Sequence, residues 1–234
     1  MSEMKLAVYQ VPGVSLGKHN VKDPRLDAAD KLVEAKKKIY VQADIVGEED
    51  MKEADAILVP AELKGDLVLL DMEFLELRLG REQSPEEKAL FEKLYAALES
   101  EKAISELPLS DEEKALMGSY QFVTNRAIVP LAKGEDVEQA IVKAYDQAGY
   151  ISFLTLGGKE NRAWPIHKGT VAVDAAGTVH TDMQKGFIRA EIISYADLIE
   201  CGGEVQAKRA NKVRLETKTY VMQDYDVVNF RFNR

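Results

Sequence analysis

The stretch at residues 159–203, KENRAWPIHKGTVAVDAAGTVHTDMQKGFIRAEIISYADLIECGG, constrains the fold of this chain more than any other. Two strand-like runs, 161–166 and 187–194, flank a small-residue turn and a short helix at 170–179. The chain then ends on TYVMQDYDVVNFRFNR, two more β-rich runs hinged at residues 224–226. A single short helix among strands can bury its apolar stripe only against their sheet. The pattern therefore predicts a compact, β-grasp-like α+β module over 151–234.

The region before it reads differently. Residues 4–9 (MKLAVY) form a short buried strand pattern, and 10–20 are turn-rich. Asp23-Pro24 starts a helix: the aspartate can accept a free first-turn amide, and proline has no amide to leave unpaired. Lys36, Lys37 and Lys38 end it where the helix dipole favours positive charge. Residues 39–45 and 54–60 read as strands. From Leu67 the apolar spacing becomes helical. Ser84-Pro85-Glu86-Glu87 and Ser110-Asp111-Glu112-Glu113 are two capping-box starts, so 66–121 is predicted as a helical insertion in an α/β domain spanning 1–150. Residues 126–131 read as a last strand, near an edge because of Pro130, and 136–148 as an amphipathic helix.

Charge limits the function classes. The formal net charge of −9 argues against a protein that coats nucleic acid indiscriminately. Residues 151–234 nevertheless hold 12 Lys and Arg against 10 Asp and Glu, so the acid is concentrated earlier and a basic face on the C-terminal module is compatible with the total. The acids of 66–121 read as solvated, helix-stabilising residues, with an acidic docking face for a protein partner as the alternative. No apolar run approaches the ~20 residues of a membrane helix, and MSEMKLAVYQ lacks the basic-then-apolar order of a signal peptide. No membrane partner and a cytoplasmic location are expected. Cys201 is the single cysteine and no histidine pair has ligand spacing, so no disulfide and no metal site are expected.

Several words stand in order in the C-terminal block: RAW at 162–164, AAG at 175–177, HTD at 180–182, KGFIRAE at 185–191 and FRFN at 230–233. Through them the block resembles the TGS domain, a ubiquitin-like β-grasp, of the Obg-like ATPase (YchF) family. Further words carry the likeness more brokenly: MKLAVYQVPGV at 4–14, DPRLDA at 23–28, DIVG at 44–47, EADAI at 53–57 and LPLSDEEKAL at 107–116. The resemblance implies α/β plus α+β architecture: a remnant of a P-loop, OBG-type G domain with a helical insertion, then a TGS domain. It implies ATP or GTP with Mg²⁺ as the family's cofactors, and ribosomes or structured RNA as partners.

A P-loop needs glycines to cradle phosphate with backbone amides, a lysine for the outer phosphates and a hydroxyl for Mg²⁺. Aligned from Met4, this chain offers Gln10, Ser15, Leu16 and Gly17 at those places. Shifted to use Gly17-Lys18, it offers Pro12 at the first glycine and His19 at the hydroxyl. Residues 19–23 leave no room for a helix and switch. Asp44-Ile45-Val46-Gly47 keeps a D-x-x-G pattern, but no asparagine stands at 131–135 for base reading. The expectation is a pseudo-GTPase: a non-catalytic, translation-associated binding protein with no catalytic residues and no cofactor. The alternative is residual nucleotide binding with weak hydrolysis through Lys18, Asp44 and Gly47.

Arg162, Lys168, Lys185, Arg189, Lys208, Arg209 and Lys212 are the candidate RNA or ribosome contacts, since Arg and Lys bond phosphate oxygens well and several stand beside glycine turns. Trp164 reads as a core anchor, with base stacking as its alternative. His180-Thr181-Asp182 reads as a structural corner rather than an acid–base pair. A sheet edge left by a shortened domain could be covered by a second copy, giving a homodimer.

Overall fold

The computed structural model describes residues 3–233. In chain order the strands are β1 (Met4–Val8), β2 (Gly17–Val21), β3 (Lys38–Ile39), β4 (Val41–Val46), β5 (Ala56–Pro60), β6 (Ala127–Leu131), β7 (Tyr150–Thr155), β8 (Asn161–His167), β9 (Phe187–Ile193), β10 (Arg214–Glu216) and β11 (Val227–Phe232). The helices are α1 (Pro24–Leu32), α2 (Lys64–Leu79), α3 (Pro85–Glu99), α4 (Asp111–Met117), α5 (Val137–Gln147), α6 (Ala172–Val179), α7 (Thr181–Lys185), α8 (Tyr195–Cys201) and α9 (Glu204–Arg209). The chain gathers into two compact units, residues 4–18 with 44–148, and residues 19–43 with 149–233.

In the unit holding 44–148, β1, β5 and β6 pair in parallel, Leu6 with Ala56 and Ile57 with Ile128. β5 is buried over Ala56, Ile57, Leu58 and Val59, as a parallel strand covered on both faces must be. β6 ends its sheet, the edge position that suits the donor-less Pro130. α2, α3 and α4 enclose a separate core of Leu75, Leu90, Phe91, Leu94 and Phe122. Both capping boxes form as their spacing requires, Ser84 with Glu87 and Ser110 with Glu113. Asp71 lies on the inner side of α2 and accepts from the Val123 amide at 2.9 Å and the Thr124 amide at 2.7 Å.

The other unit holds a six-stranded sheet in the order β10-β9-β11-β7-β8-β3. β7 and β8 form an antiparallel hairpin, Tyr150 opposite His167 and Thr155 opposite Arg162. β11 runs antiparallel to β9 and parallel to β7. α6 lies on one face, where Ala172, Ala175 and Ala176 meet Phe153, Ile166, Ile192 and Phe230. Its short side chains allow a close approach to the sheet. α1 belongs to this unit. The fully buried Asn161 donates to Asp30 at 2.8 Å and to the Val33 carbonyl at 2.7 Å, and it accepts from the Gly157 amide at 2.7 Å.

The differences from the sequence reading have local causes. A single cut at 150/151 does not describe the packing, because residues 19–43 join 149–233 through Asn161 and the β3–β8 ladder. The turn-rich 10–20 contains β2, and 39–45 is two strands interrupted at Tyr40. The insertion is three helices running from Lys64 to Met117. Of the two terminal β-rich runs only β11 is a strand. Val221 makes one isolated bridge to Val171, since the Met222 amide turns to the Thr170 carbonyl.

Candidate functional site

The first place to look for chemistry is the loop after β1. The Tyr9 amide still bonds to Leu58, but Gln10 turns into the left-handed region at φ 50° and its amide donates to the Glu48 carboxylate at 3.1 Å. Gly13 is also left-handed, and Leu16 lies 59% exposed. The loop then enters a strand, β2, where a phosphate cradle needs a helix N-terminus with free amides. The first helix begins only at Pro24, and Asp23 already caps it by accepting from the Arg25 amide at 2.9 Å. Lys18 is exposed on β2, Asp44 is half-buried on β4, and Gly47 precedes a single 3-10 turn over Glu48–Asp50. The Gln10 and Arg25 amides are thus both taken by carboxylates of the protein itself, Glu48 and Asp23.

The seven candidate cations are not gathered in one place. Ile166 packs in the core beneath α6, and Arg162 and Trp164 alternate onto the same face of β8. Ala190 and Ile192 turn to that core from β9, which puts Arg189 and Glu191 on the opposite face. β11 and β7 also separate β9 from β8. Lys168 follows β8, Lys185 ends α7, and Lys208 and Arg209 end α9. Lys212 is bound to Asp197 at 2.8 Å. Glycine turns beside several of them, the feature that grouped them in sequence, belong to different ends of the sheet.

Arg162 pairs with Glu160 at 3.4 Å and its guanidinium lies 3.8 Å from the Trp164 ring centre. Trp164 stacks towards Phe153 and donates Nε1–H to Thr155 at 2.9 Å. It is a core anchor with an arginine lid, so a base could stack there only by displacing Arg162. His180 caps α7 through Nδ1, accepting from the Asp182 amide at 3.1 Å, and both side chains are exposed. Among the described residues no His, Cys, Asp and Glu group could hold a metal. No helix among them is long and apolar enough to cross a membrane.

The face opposite α6 does carry a focus of positive charge, and one member escaped the sequence reading. Arg231 on β11 stands directly opposite Arg189 on β9. Arg231 is bound to Glu191, whose carboxyl is held below its ordinary range by that bond and by Asn229. No carboxylate pairs with Arg189 among the described residues. Lys208 also acts electrostatically on Glu191. Arg231 sits inside the FRFN word, whose alternation reads as structural. Only the cross-strand register reveals its partner.

Residues 150–233 match the model for the C-terminal domain of YchF GTPases, described as a protein of unknown function (DUF933). The chain is 31% identical over 235 residues to the ribosome-binding ATPase YchF of Bacillus subtilis, covering 72% of this chain and 64% of that protein. It is 41% identical over 153 residues to the ribosome-binding ATPase YchF of Haemophilus influenzae, covering 65% of this chain and 39% of that one. The chain thus spans less than two thirds of either relative. A solved structure of the Schizosaccharomyces pombe YchF GTPase superposes with a TM-score of 0.73 at 20% identity, covering 98% of each chain, a likeness of fold.

Proposed function

The chain belongs to the Obg-like ATPase (YchF) family, and from that membership we propose that it is a ribosome- or RNA-associated binding protein whose nucleotide site is lost. The observation that carries the binding reading is the pair Arg189 and Arg231, directly opposite across β9 and β11. Arg231 is already held by Glu191, whereas Arg189 beside it has no carboxylate partner among the described residues, and guanidinium groups bind phosphate with charge-assisted bonds. Lys208 on α9, which acts on Glu191, extends this surface. Two relatives are described as ribosome-binding, which supports ribosomal RNA as the source of that phosphate. The strand order β8-β7-β11-β9-β10, with β7 and β11 parallel at its centre and α6 on one face, supports a ubiquitin-like β-grasp and hence a TGS domain. A cytoplasmic location follows from the same reading.

Loss of the nucleotide site is supported by the loop that enters β2 and by Glu48 on the Gln10 amide. The alternative, weak ATP or GTP binding and hydrolysis, has the retained D-x-x-G turn at Gly47 in its favour, with Lys18 and Asp44 as the other remnants. Co-sedimentation with ribosomes over a salt series, with and without ATP, separates the two. Salt-sensitive binding indifferent to ATP, weakened by Arg189→Glu, is the expected result, because a cation removed from phosphate lowers both the affinity and its dependence on salt. Binding that requires ATP, or a melting temperature that rises with millimolar ATP and Mg²⁺, would overturn the reading, since a saturating ligand must stabilise the folded state.

A further inference from the structure

We propose that the outward face of α2, together with the groove where it meets the end of α3, docks a basic, amphipathic helical segment of a partner protein. Leu69, Leu70 and Leu77 are 56%, 41% and 66% exposed. At 3.6 residues per turn they fall on one arc of α2 with Asp66, Glu73 and Glu76, while Leu67, Val68, Asp71 and Leu75 form its buried side. Exposed leucines scattered singly are ordinary; three on one arc, interleaved with Asp66 and Glu73, leave a stripe of apolar anchors and carboxylates on a helix already committed to a core on its other side. The stripe runs into a groove of about 700 Å³. Leu69, Met72 and Leu98 line it together with Glu99, Glu101 and Lys64.

The charge around the stripe selects the occupant. Residues 64–117 hold 14 Asp and Glu against 7 Lys and Arg, most of the chain's net charge of −9. A second copy would bring the same carboxylates against the same leucines, and like-charge juxtaposition opposes that contact. Nucleic acid is excluded by the same sign. A helix with leucine-like anchors along one side and Lys or Arg flanking them satisfies both the leucines and the carboxylates, as in helix-in-groove recognition. The proposal does not depend on the RNA reading, which concerns the other unit.

The test uses the full chain and no RNA. A fluorescein-labelled amphipathic peptide of Leu and Lys is titrated by anisotropy, beside its Leu and Glu counterpart. Saturable binding of the Leu/Lys peptide alone is expected, weakened about tenfold or more by Leu69→Ser with Leu77→Ser, the effect of removing two apolar anchors. Both leucines are exposed, so the double variant should melt with the wild type and a folding defect cannot mimic the result. A Glu73→Lys variant should weaken the same peptide with the leucines intact. Binding that survives removal of the leucines would be general attraction to an acidic surface and would overturn the proposal, as would no binding at low salt. A wild-type dimer in sedimentation that Leu77→Ser converts to monomer would assign the stripe to a second copy instead.

Discussion

Asp71 offers the sharpest test of how the helical insertion is joined to the sheet of its own unit. The side chain is 2% exposed, and its carboxylate accepts three bonds: Val123 N–H at 2.9 Å, Thr124 N–H at 2.7 Å and Thr124 Oγ1–H at 2.7 Å. These hold the turn Val123–Asn125 that leads into β6. Asp71→Ala leaves two buried amides without an acceptor. Each bond to a charged group contributes about 1.5–3 kcal/mol, so three would total roughly 5–9 kcal/mol. Removing a buried charge returns part of that, because burial alone disfavours the ionised form. A net loss of about 3–4 kcal/mol is expected, read as a shift in the urea midpoint at unchanged slope.

The pH dependence provides a second reading of the same contact. Burial pushes the Asp71 carboxyl above its ordinary range despite the three bonds. A folded pKa above the unfolded value means that ionisation costs the folded state more. This group's contribution to stability is therefore full below about pH 4 and is lost as pH rises through the folded value. Asp71→Asn cannot ionise, so its deficit relative to wild type should shrink with rising pH across that window. An Asp71→Ala loss under about 1 kcal/mol, or an Asn deficit that grows with pH, would refute the argument.

Two further substitutions probe the other unit. Arg25 bonds Asp23 and Asp224 and lies 3.8 Å over the Tyr225 ring, but its side chain is 40% exposed. Solvent screening limits Arg25→Ala to about 1–2 kcal/mol of lost stability by chemical denaturation, and Arg25→Lys should recover less than half because a lysine cannot fork; full recovery by lysine would sink the geometric account. A Cβ at Gly186 would stand 1.9 Å from the Asn233 carbonyl oxygen, which is backbone and cannot turn aside, so Gly186→Ala should lower stability by about 1–3 kcal/mol; an unchanged thermal midpoint would show that the end of the chain yields freely.

Features made by neighbouring residues were legible in the sequence. Asp23 with Pro24, both Ser–Glu capping boxes and Asp136 start their helices where the residue order requires, because a cap is a bond to an amide two or three positions away. Strands β8 and β9 follow from apolar patterning, and the family words follow from the same local order, whereas β7 has no counterpart in the sequence reading. The departures of residues 10–19 from a P-loop pattern were likewise readable residue by residue. Long-range contacts were not. β2 is written GKHNV, a poor strand pattern, and becomes a strand only through pairing with a distant partner. Residues 19–43 join a unit whose remainder begins more than a hundred positions later, through the β3–β8 ladder, the Arg25–Asp224 bridge and a buried asparagine, Asn161, that looks like any other in the sequence. Seven cations that share a composition argument are scattered over strands, turns and helix ends, while the pair Arg189 and Arg231 exists only in the register between β9 and β11. Sequence order determined caps, periods and motif words, since each depends on residues a few bonds apart. Tertiary structure alone decided which charges meet, because strand register joins residues that the chain itself keeps far apart.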